Sequence, residues 1–378
     1  MMIGIDAGPM VGQGGISSYV TPLVRTLVAG ATDTHWRLFL RRSWRDHRHD
    51  HSFSDLAPTT TLWTPDRLLR FGWRWLPPSC LPMDRSWQAL DGYLSTCLMT
   101  PTLTHATIIS LIYDLIPLRL PHLFPRRREF LALVRETVER SDRLITISHR
   151  TKADLIELLK VEPDRVQVVY PGRHEEWSTI PPAALSAIRD RYGLPPRYLL
   201  YLGSLGPHKN VSTLLRAFAL AHETGRLDVP LVIVGDPRWG EQALEFLKDL
   251  PSRRHIILTG RVPDSDVPAM YSGATAFVFP SLYEGFGLPV LDAMTCGVPA
   301  IVSTGGALPE VVGGAGICLP PDSIEAWADA LCLICRDDMT RERLGREGMV
   351  RAAQFSWRRS ATEVHRLLKS GQAHREAA

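Results

Sequence analysis

Glu284 and Asp292 stand eight residues apart in SLYEGFGLPVLDAMTCGVPAI (281–301), with Gly285 and Gly287 between them and Pro289 close behind. Proline suits the first turn of a helix, where its missing N–H costs nothing, and Gly297 suits the position just past the end. The spacing predicts a helix over 288–296, entered from the strand AFVFP through a loop at the helix's positive end. Backbone N–H groups there, beside small residues, make a site suited to phosphate. A carboxylate next to phosphate is repelled, so Glu284 is better matched to hydroxyl groups. Asp292, about one turn into the helix, is placed for a second diol. Two diols flanking a pyrophosphate describe a nucleotide sugar. An ordinary strand–loop–helix corner with a capping acid has the same composition, and these residues alone leave both readings open.

A second anion-ready loop lies in YLGSLGPHKNVSTLLRAF (201–218). Gly203 and Gly206 bracket it, and Asn210 is a suitable N-cap for the following helix. Lys209 just before that positive end does nothing for stability but is useful against a diphosphate leaving group; a solvated loop lysine is the alternative. A third glycine loop, DAGPMVGQGGISSY (6–19), follows the first strand. It lacks G-x-G-x-x-G spacing and the strand-end acid that contacts a ribose, which disfavours NAD. Asp264-Ser265-Asp266 spells DxD, but it follows the strand HIILTGRV and opens the helix VPAMYSGA, so it reads as a cap rather than a metal site.

The elements that must position these loops alternate along nearly the whole chain. Strand-like runs MIGIDAG, RLFL, TIISLIYD, LITIS and VQVVYPG occupy the first half, and YLLYLGSL, PLVIVGD, HIILTGRV, ATAFVFPS and PAIVS the second. Short β-rich runs separated by amphipathic segments predict βαβ units and parallel sheets. Two series in 378 residues predict two doubly wound domains, with Pro- and Gly-rich punctuation near 175–197 marking the boundary. The segment FSWRRSATEVHRLLKSG (355–371) has helical spacing that fits either domain.

No apolar run approaches the roughly 18 residues that span a bilayer, and the N-terminal residues lack a signal-peptide pattern, so a cytoplasmic location is expected. The six cysteines are scattered; Cys332 and Cys335 form a lone CxxC in a helical stretch, better read as buried thiols than as zinc ligands. Net charge is +3, unevenly held: residues 1–175 contain 22 Lys+Arg against 18 Asp+Glu. Basic clusters occur at RRSWRDHRH (41–49), RLLRFGWRW (67–75) and PRRRE (125–129). Each is either solvated surface or a contact for an anionic surface. Between 63 and 87 arginines interleave with Trp63, Trp73, Trp75 and Trp87, a mixture that suits both a membrane interface and a helix packed on a sheet. The small total charge and the lack of a recognised module exclude a nucleic-acid partner.

Taken in order, the first-strand loop, YDLIPLRLPHLFP (113–125), RLITISHRTKADL (143–155), VVYPG (168–172), LGSLGPHKN, GRVPDSDVPAMYSGA, PSLYEGFGLPVLDAM and FSWRRSA make the chain similar to retaining glycosyltransferases of family 4, the group 1 type. The likeness is nearest to bacterial mannosyl- and rhamnosyltransferases of O-antigen, capsule or exopolysaccharide synthesis.

This resemblance implies an α/β chain of GT-B architecture: two facing Rossmann-like domains with a cleft between them. The N-terminal, acceptor-side domain is expected over 1–178, joined by the terminal helix 357–371, and the nucleotide-sugar domain over 179–356. The resemblance further implies that Glu284 takes hydroxyls of the donor sugar, while Tyr283, Gly285, Phe286, Gly287 and Leu288 hold sugar and phosphates. Asp292 would bind the ribose, Lys209 the diphosphate and Val262 the base, with Ser204 and His208 also on the donor; Gly14 and Gly15 approach the phosphates from the first domain, and Tyr113 and Asp114 would be catalytic with Glu284 and Lys209. No cofactor or metal is implied.

The implied reaction is retaining hexosyl transfer, mannose from GDP-mannose favoured, to a glycan or polyprenyl-diphosphate-linked oligosaccharide, with the enzyme peripheral on the inner membrane face. Same-fold alternatives are a nucleotide-sugar epimerase or phosphorylase and a catalytically degenerate binding subunit. Four positions depart from the family pattern: Asp292 for Glu, Tyr113 for His, Ser18 for Arg and His208 for Arg. They bear on donor identity.

Overall fold

A computed structural model describes residues 1–12, 14–41, 55–64, 66–75, 85–236, 247 and 250–376. The basic run beyond Arg41 (42–49) and the WLPPSCLP segment beyond Trp75, with Cys80, lie outside the described residues. The chain divides into two compact units, Met1–Gly172 with Ser356–Ala378, and Arg173–Phe355.

In the first unit seven parallel strands form one sheet in the order β3-β2-β1-β4-β5-β6-β7. They are β1 (Met2–Asp6), β2 (His35–Arg41), β3 (Thr59–Leu62), β4 (Gly92–Ser95), β5 (Thr107–Ile112), β6 (Arg143–Thr146) and β7 (Val166–Val168). The second unit holds six parallel strands in the order β10-β9-β8-β11-β12-β13. These are β8 (Leu199–Leu202), β9 (Leu231–Val234), β10 (Ile256–Gly260), β11 (Ala276–Phe279), β12 (Ala300–Ser303) and β13 (Gly316–Leu319). Both sheets wind outward in two directions from their first strand, the doubly wound Rossmann order. Ten of the strands coincide with the apolar runs read from the sequence. The other three are β3, made of TTTL, β4, made of GYLS, and β13, made of GICL: too short or too polar to stand out, and fixed by their neighbours in the ladder.

Helices cover the faces because parallel strands need crossovers. The first unit has α1 (Gly15–Gly30), α2 (Asp66–Trp75), α3 (Arg127–Arg140) and α4 (His149–Leu159). The second has α5 (Val211–Glu223), α6 (Leu288–Thr295), α7 (Ile324–Arg336) and α8 (Asp338–Ala352). The last helix, α9 (Trp357–Glu376), packs on α1, β4 and β5 of the first unit. Gly92 and Gly371 allow that approach: a Cβ on Gly92 would touch Leu368 and Ile3, and one on Gly371 would strike Thr107. Cys332 and Cys335 are free and buried on α7. No described helix is long and apolar enough to cross a membrane.

Candidate functional site

Ligands of open parallel sheets bind beyond the carboxyl ends of the strands, where the strand order reverses. In the second unit that point lies between β8 and β11. The loops leaving these two strands carry Lys209 and Glu284. The Lys209 ammonium donates to Glu284 Oε1 at 2.6 Å, with the two side chains 16% and 10% exposed. Lys209 Nζ also sits 5.3 Å from the centre of the Phe279 ring. An ammonium has three protons and a carboxylate two acceptor oxygens. Beyond this one bond, neither side chain has another hydrogen-bond partner among the described residues, so most of that side-chain capacity is unused.

The pair is held by backbone rather than by its own attraction. Leu282 N donates to the His208 carbonyl at 2.8 Å, tying the two loops together. Asn210 donates through Nδ2 to the carbonyls of Pro280 (3.1 Å) and Pro321 (2.7 Å). Asn210 does stand before α5, but in the left-handed region (φ 55°), and its side chain makes no backbone cap; Oδ1 accepts from the Thr213 hydroxyl. The capping expectation is corrected: the residue is a clamp between loops, a use that needs Pro280 and Pro321 from distant sequence.

A second support was not anticipated. Thr304-Gly305-Gly306 folds over the Glu284 loop, with Ala307 N donating to the Glu284 carbonyl at 2.9 Å. Gly306 has φ 66°, and a Cβ there would collide with the Glu284 backbone, so only glycine fits. The signal was present as a GG pair after a strand, but nothing in sequence tells which loop it would touch.

Around Glu284, Gly285, Phe286 and Gly287 are buried, and Tyr283 and Leu288 are half-buried. Phe286 packs edge-to-face on Phe355 at 5.5 Å. Gly287 is the N-cap of α6 at φ 109°, and no side chain caps this end. The helix ends at Thr295, and Gly297 follows in the left-handed region, as the spacing predicted.

Asp292 has different neighbours. Burial pushes its carboxyl up to about 7, with His174 lowering it and Glu176 raising it further. Its charge is also felt by Tyr271 and Cys296. His174 stacks on Trp177 with ring centres 4.3 Å apart and meets Glu176 Oε1 through Nδ1 at 3.0 Å. The RHEEW run thus enters the surroundings of Asp292; it carries no motif, and sequence reading passed over it.

The remaining second-unit positions are distributed along the same strand ends. Ser204 is exposed, its carbonyl accepting from Tyr201 Oη at 2.6 Å. His208 is half-buried, and burial with the adjacent Lys209 lowers its pKa, favouring the neutral ring. Val262 is buried just past β10. The DxD motif resolves differently from a cap: Asp266 precedes its helix without a side-chain cap bond, and instead accepts from Arg191 (2.8 Å) and Tyr192 Oη (2.6 Å). Among the described residues no group of three or more His, Cys, Asp or Glu is placed to hold a metal ion.

Within the first unit, Gly14 and Gly15 are exposed at the start of α1, where Ser18 Oγ donates back to the Gly14 carbonyl at 3.2 Å. Tyr113 Oη donates to the Thr96 carbonyl at 2.7 Å, and burial raises its pKa well above the usual value. Asp114 Oδ1 accepts from Ile116 N at 2.9 Å, at the start of the short helix Ile116–Arg119. Both side chains of this pair have structural work inside the unit.

Two doubly wound sheets, one with a charged pair and an uncapped helix start at its order reversal, define a Rossmann-like α/β protein. Residues 187–351 match the family Glycosyl transferases group 1, and residues 101–177 match Glycosyltransferase Family 4. The chain is 34% identical over 231 residues to O-antigen chain mannosyltransferase B of Escherichia coli, 61% of each chain. It is 31% identical over 276 residues to the serotype-specific mannosyltransferase WbdA of Escherichia coli, 70% of this chain and 34% of that one. The match therefore spans less than two-thirds of either relative's length. Sucrose-phosphate synthase from Thermosynechococcus elongatus superposes with a TM-score of 0.76 at 21% identity, covering 99% of both chains, which shows the fold. That fold is GT-B, two Rossmann-like domains.

Proposed function

We propose that the protein transfers a hexose, mannose favoured, from a nucleoside-diphosphate sugar to a hydroxyl of a bacterial surface glycan, with retention at the anomeric carbon. The observation that carries this reading is the Lys209–Glu284 pair and its unused hydrogen-bonding capacity. A half-desolvated ammonium needs a counter-charge. With no donor present Glu284 supplies it. With a donor in place the diphosphate takes over that role, and Glu284 turns its oxygens to sugar hydroxyls. The identities of the two Escherichia coli mannosyltransferases support mannose, and GDP-mannose is the donor we assign.

In the proposed reaction the bond from the anomeric carbon to the diphosphate breaks through an oxocarbenium-like state. The acceptor oxygen attacks from the same face, and its proton passes to the departing phosphate oxygen. Lys209 and the start of α6 stabilise the charge that develops on the diphosphate, a preorganised electrostatic contribution that needs no metal. The acceptor is a lipid-linked oligosaccharide, and the enzyme works attached to the inner membrane surface.

The test is a panel of nucleotide sugars with the purified protein, measuring thermal shift, nucleoside-diphosphate release on a mannan-type acceptor and the anomeric configuration of the product, with and without EDTA. GDP-mannose should give the largest shift, and release should depend on acceptor and persist in EDTA. An inverted product, or no response to any nucleotide sugar, would overturn the reading. Turnover without acceptor would point to an epimerase.

A further inference from the structure

Helix α2 is apolar on two sides. Leu69 and Trp73, four residues apart, are buried against Phe39, Trp87 and Tyr93. On the outside, Leu68 and Phe71 are 60% and 58% exposed, and Trp63 just ahead of the helix is 60% exposed. Three of the ten exposed large hydrophobic side chains among the described residues thus fall within nine positions. Packing on the sheet explains the inner pair and does not account for the exposure of Leu68 and Phe71.

The charge around this face is mainly basic, with Glu129 of α3 an exposed acid beside it. Asp66, the one acid of α2, is drawn inward to Arg41 at 3.1 Å. Arg67 is exposed and in no ion pair among the described residues. Ile108 and Ile112 of β5 lie four residues apart and so share a sheet face. Ile108 packs in the cluster of α2 and Ile112 in that of α3, so both helices cover that face. Both are crossovers between parallel strands, so both begin at the carboxyl edge of the sheet. There Arg126, Arg127 and Arg128 are all exposed at the start of α3, with no side-chain cap. Three cations against the single acid Glu129 at the positive end of a helix disfavour the fold. An external anionic surface removes that cost.

We propose that this face, with Trp63, Leu68 and Phe71 inserting and Arg67 and Arg126–Arg128 flanking, docks on an anionic phospholipid bilayer. Exposed aromatic and aliphatic side chains enter the headgroup boundary, while arginines pair with lipid phosphates and draw the protein to a negative surface. Neither contribution alone anchors a protein; together they give reversible, salt-sensitive attachment. The inference specifies the surface behind peripheral attachment and is independent of the sugar chemistry, since donor binding can be measured without membranes.

The experiment is flotation of the full-length protein with vesicles of phosphatidylcholine, with and without phosphatidylglycerol, at low and high salt. Wild type should float with the anionic vesicles about tenfold more than with neutral ones and release at high salt. Leu68→Ser/Phe71→Ser changes exposed positions, so the melting curve stays that of wild type while bound protein falls roughly fivefold or more. Arg126→Ser/Arg127→Ser/Arg128→Ser should weaken binding at low salt and flatten its salt dependence. The proposal is overturned if wild type does not float with anionic vesicles at low salt, or if the Leu68/Phe71 variant floats equally well. It is also overturned if light scattering finds a dimer that this variant dissociates, because the face then serves a second copy of the chain.

Discussion

The two sheets reverse their strand order at equivalent places, between β1 and β4 in the first unit and between β8 and β11 in the second, yet the chemistry there is opposite. At the first, most polar groups are bonded internally, Arg41 Nε excepted. Asp6 accepts from Gly8 N at 2.9 Å and from Cys97 Sγ at 2.9 Å, and lies 3.8 Å from buried Arg41; its carbonyl accepts from Thr96 Oγ1. Thr96 in turn accepts from Tyr113. At the second, Lys209 and Glu284 satisfy one another once and keep the rest of their capacity. Internal bonding holds the first strand end in place, while the spare capacity at the second is what the proposed donor would use.

Four substitutions sharpen or break this contrast. The largest effect is expected in the first unit, at fully buried Asp154, which accepts from Arg119 (2.8 Å) and Arg150 (2.9 Å). Asp154→Ala removes the buried partner of two arginines, which keep only the exposed Glu157, and should cost about 3 kcal/mol in chemical denaturation. Nucleotide-sugar affinity of the remaining folded protein should not change. In the second unit, Glu284→Gln should lower transfer by roughly 10²–10³-fold with a much smaller effect on melting, as for loss of one preorganised contact. If melting falls and the turnover of folded protein does not, Glu284 belongs with the structural ion pairs and the contrast fails.

Asp292 supplies a pH test. Its folded-state pKa of about 7 lies above the ordinary carboxyl value of 3.8. Between the two, the native state holds more protons than the unfolded one, so stability falls as pH rises from about 4 to 7. Asp292→Asn should remove this slope, gaining on the order of 2 kcal/mol above pH 7 once partial exposure is allowed for, and nothing below pH 4. The smallest effect is Tyr113→Phe, which deletes one hydrogen bond and should cost about 1 kcal/mol. An accompanying large loss of transfer would show that the first unit's strand ends are less committed to structure than their bonding implies.

Much of the site was legible because its signals are local. EGFGLP announces a loop and a helix start through residue types alone, and PHKN does the same for the lysine loop. What escaped was held by distant partners: Gly306 matters only because Glu284 lies above it, and His174, Glu176 and Trp177 matter only because Asp292 lies near. Asn210 and Asp266 show the reverse error. Their positions before helices fit capping, but stronger partners elsewhere claimed both side chains.

The sequence by itself determined the alternation of strands and helices, the parallel sheets and which loops could receive an anion. These follow from periodicity and backbone preference within some ten residues. Only the tertiary structure decided that residues 209 and 284, separated by 75 positions, form one charged pair, and that an outward apolar face remains on α2. Strand order sets which loops become neighbours, and packing sets which side of a helix is left over; both depend on contacts between segments far apart in the chain.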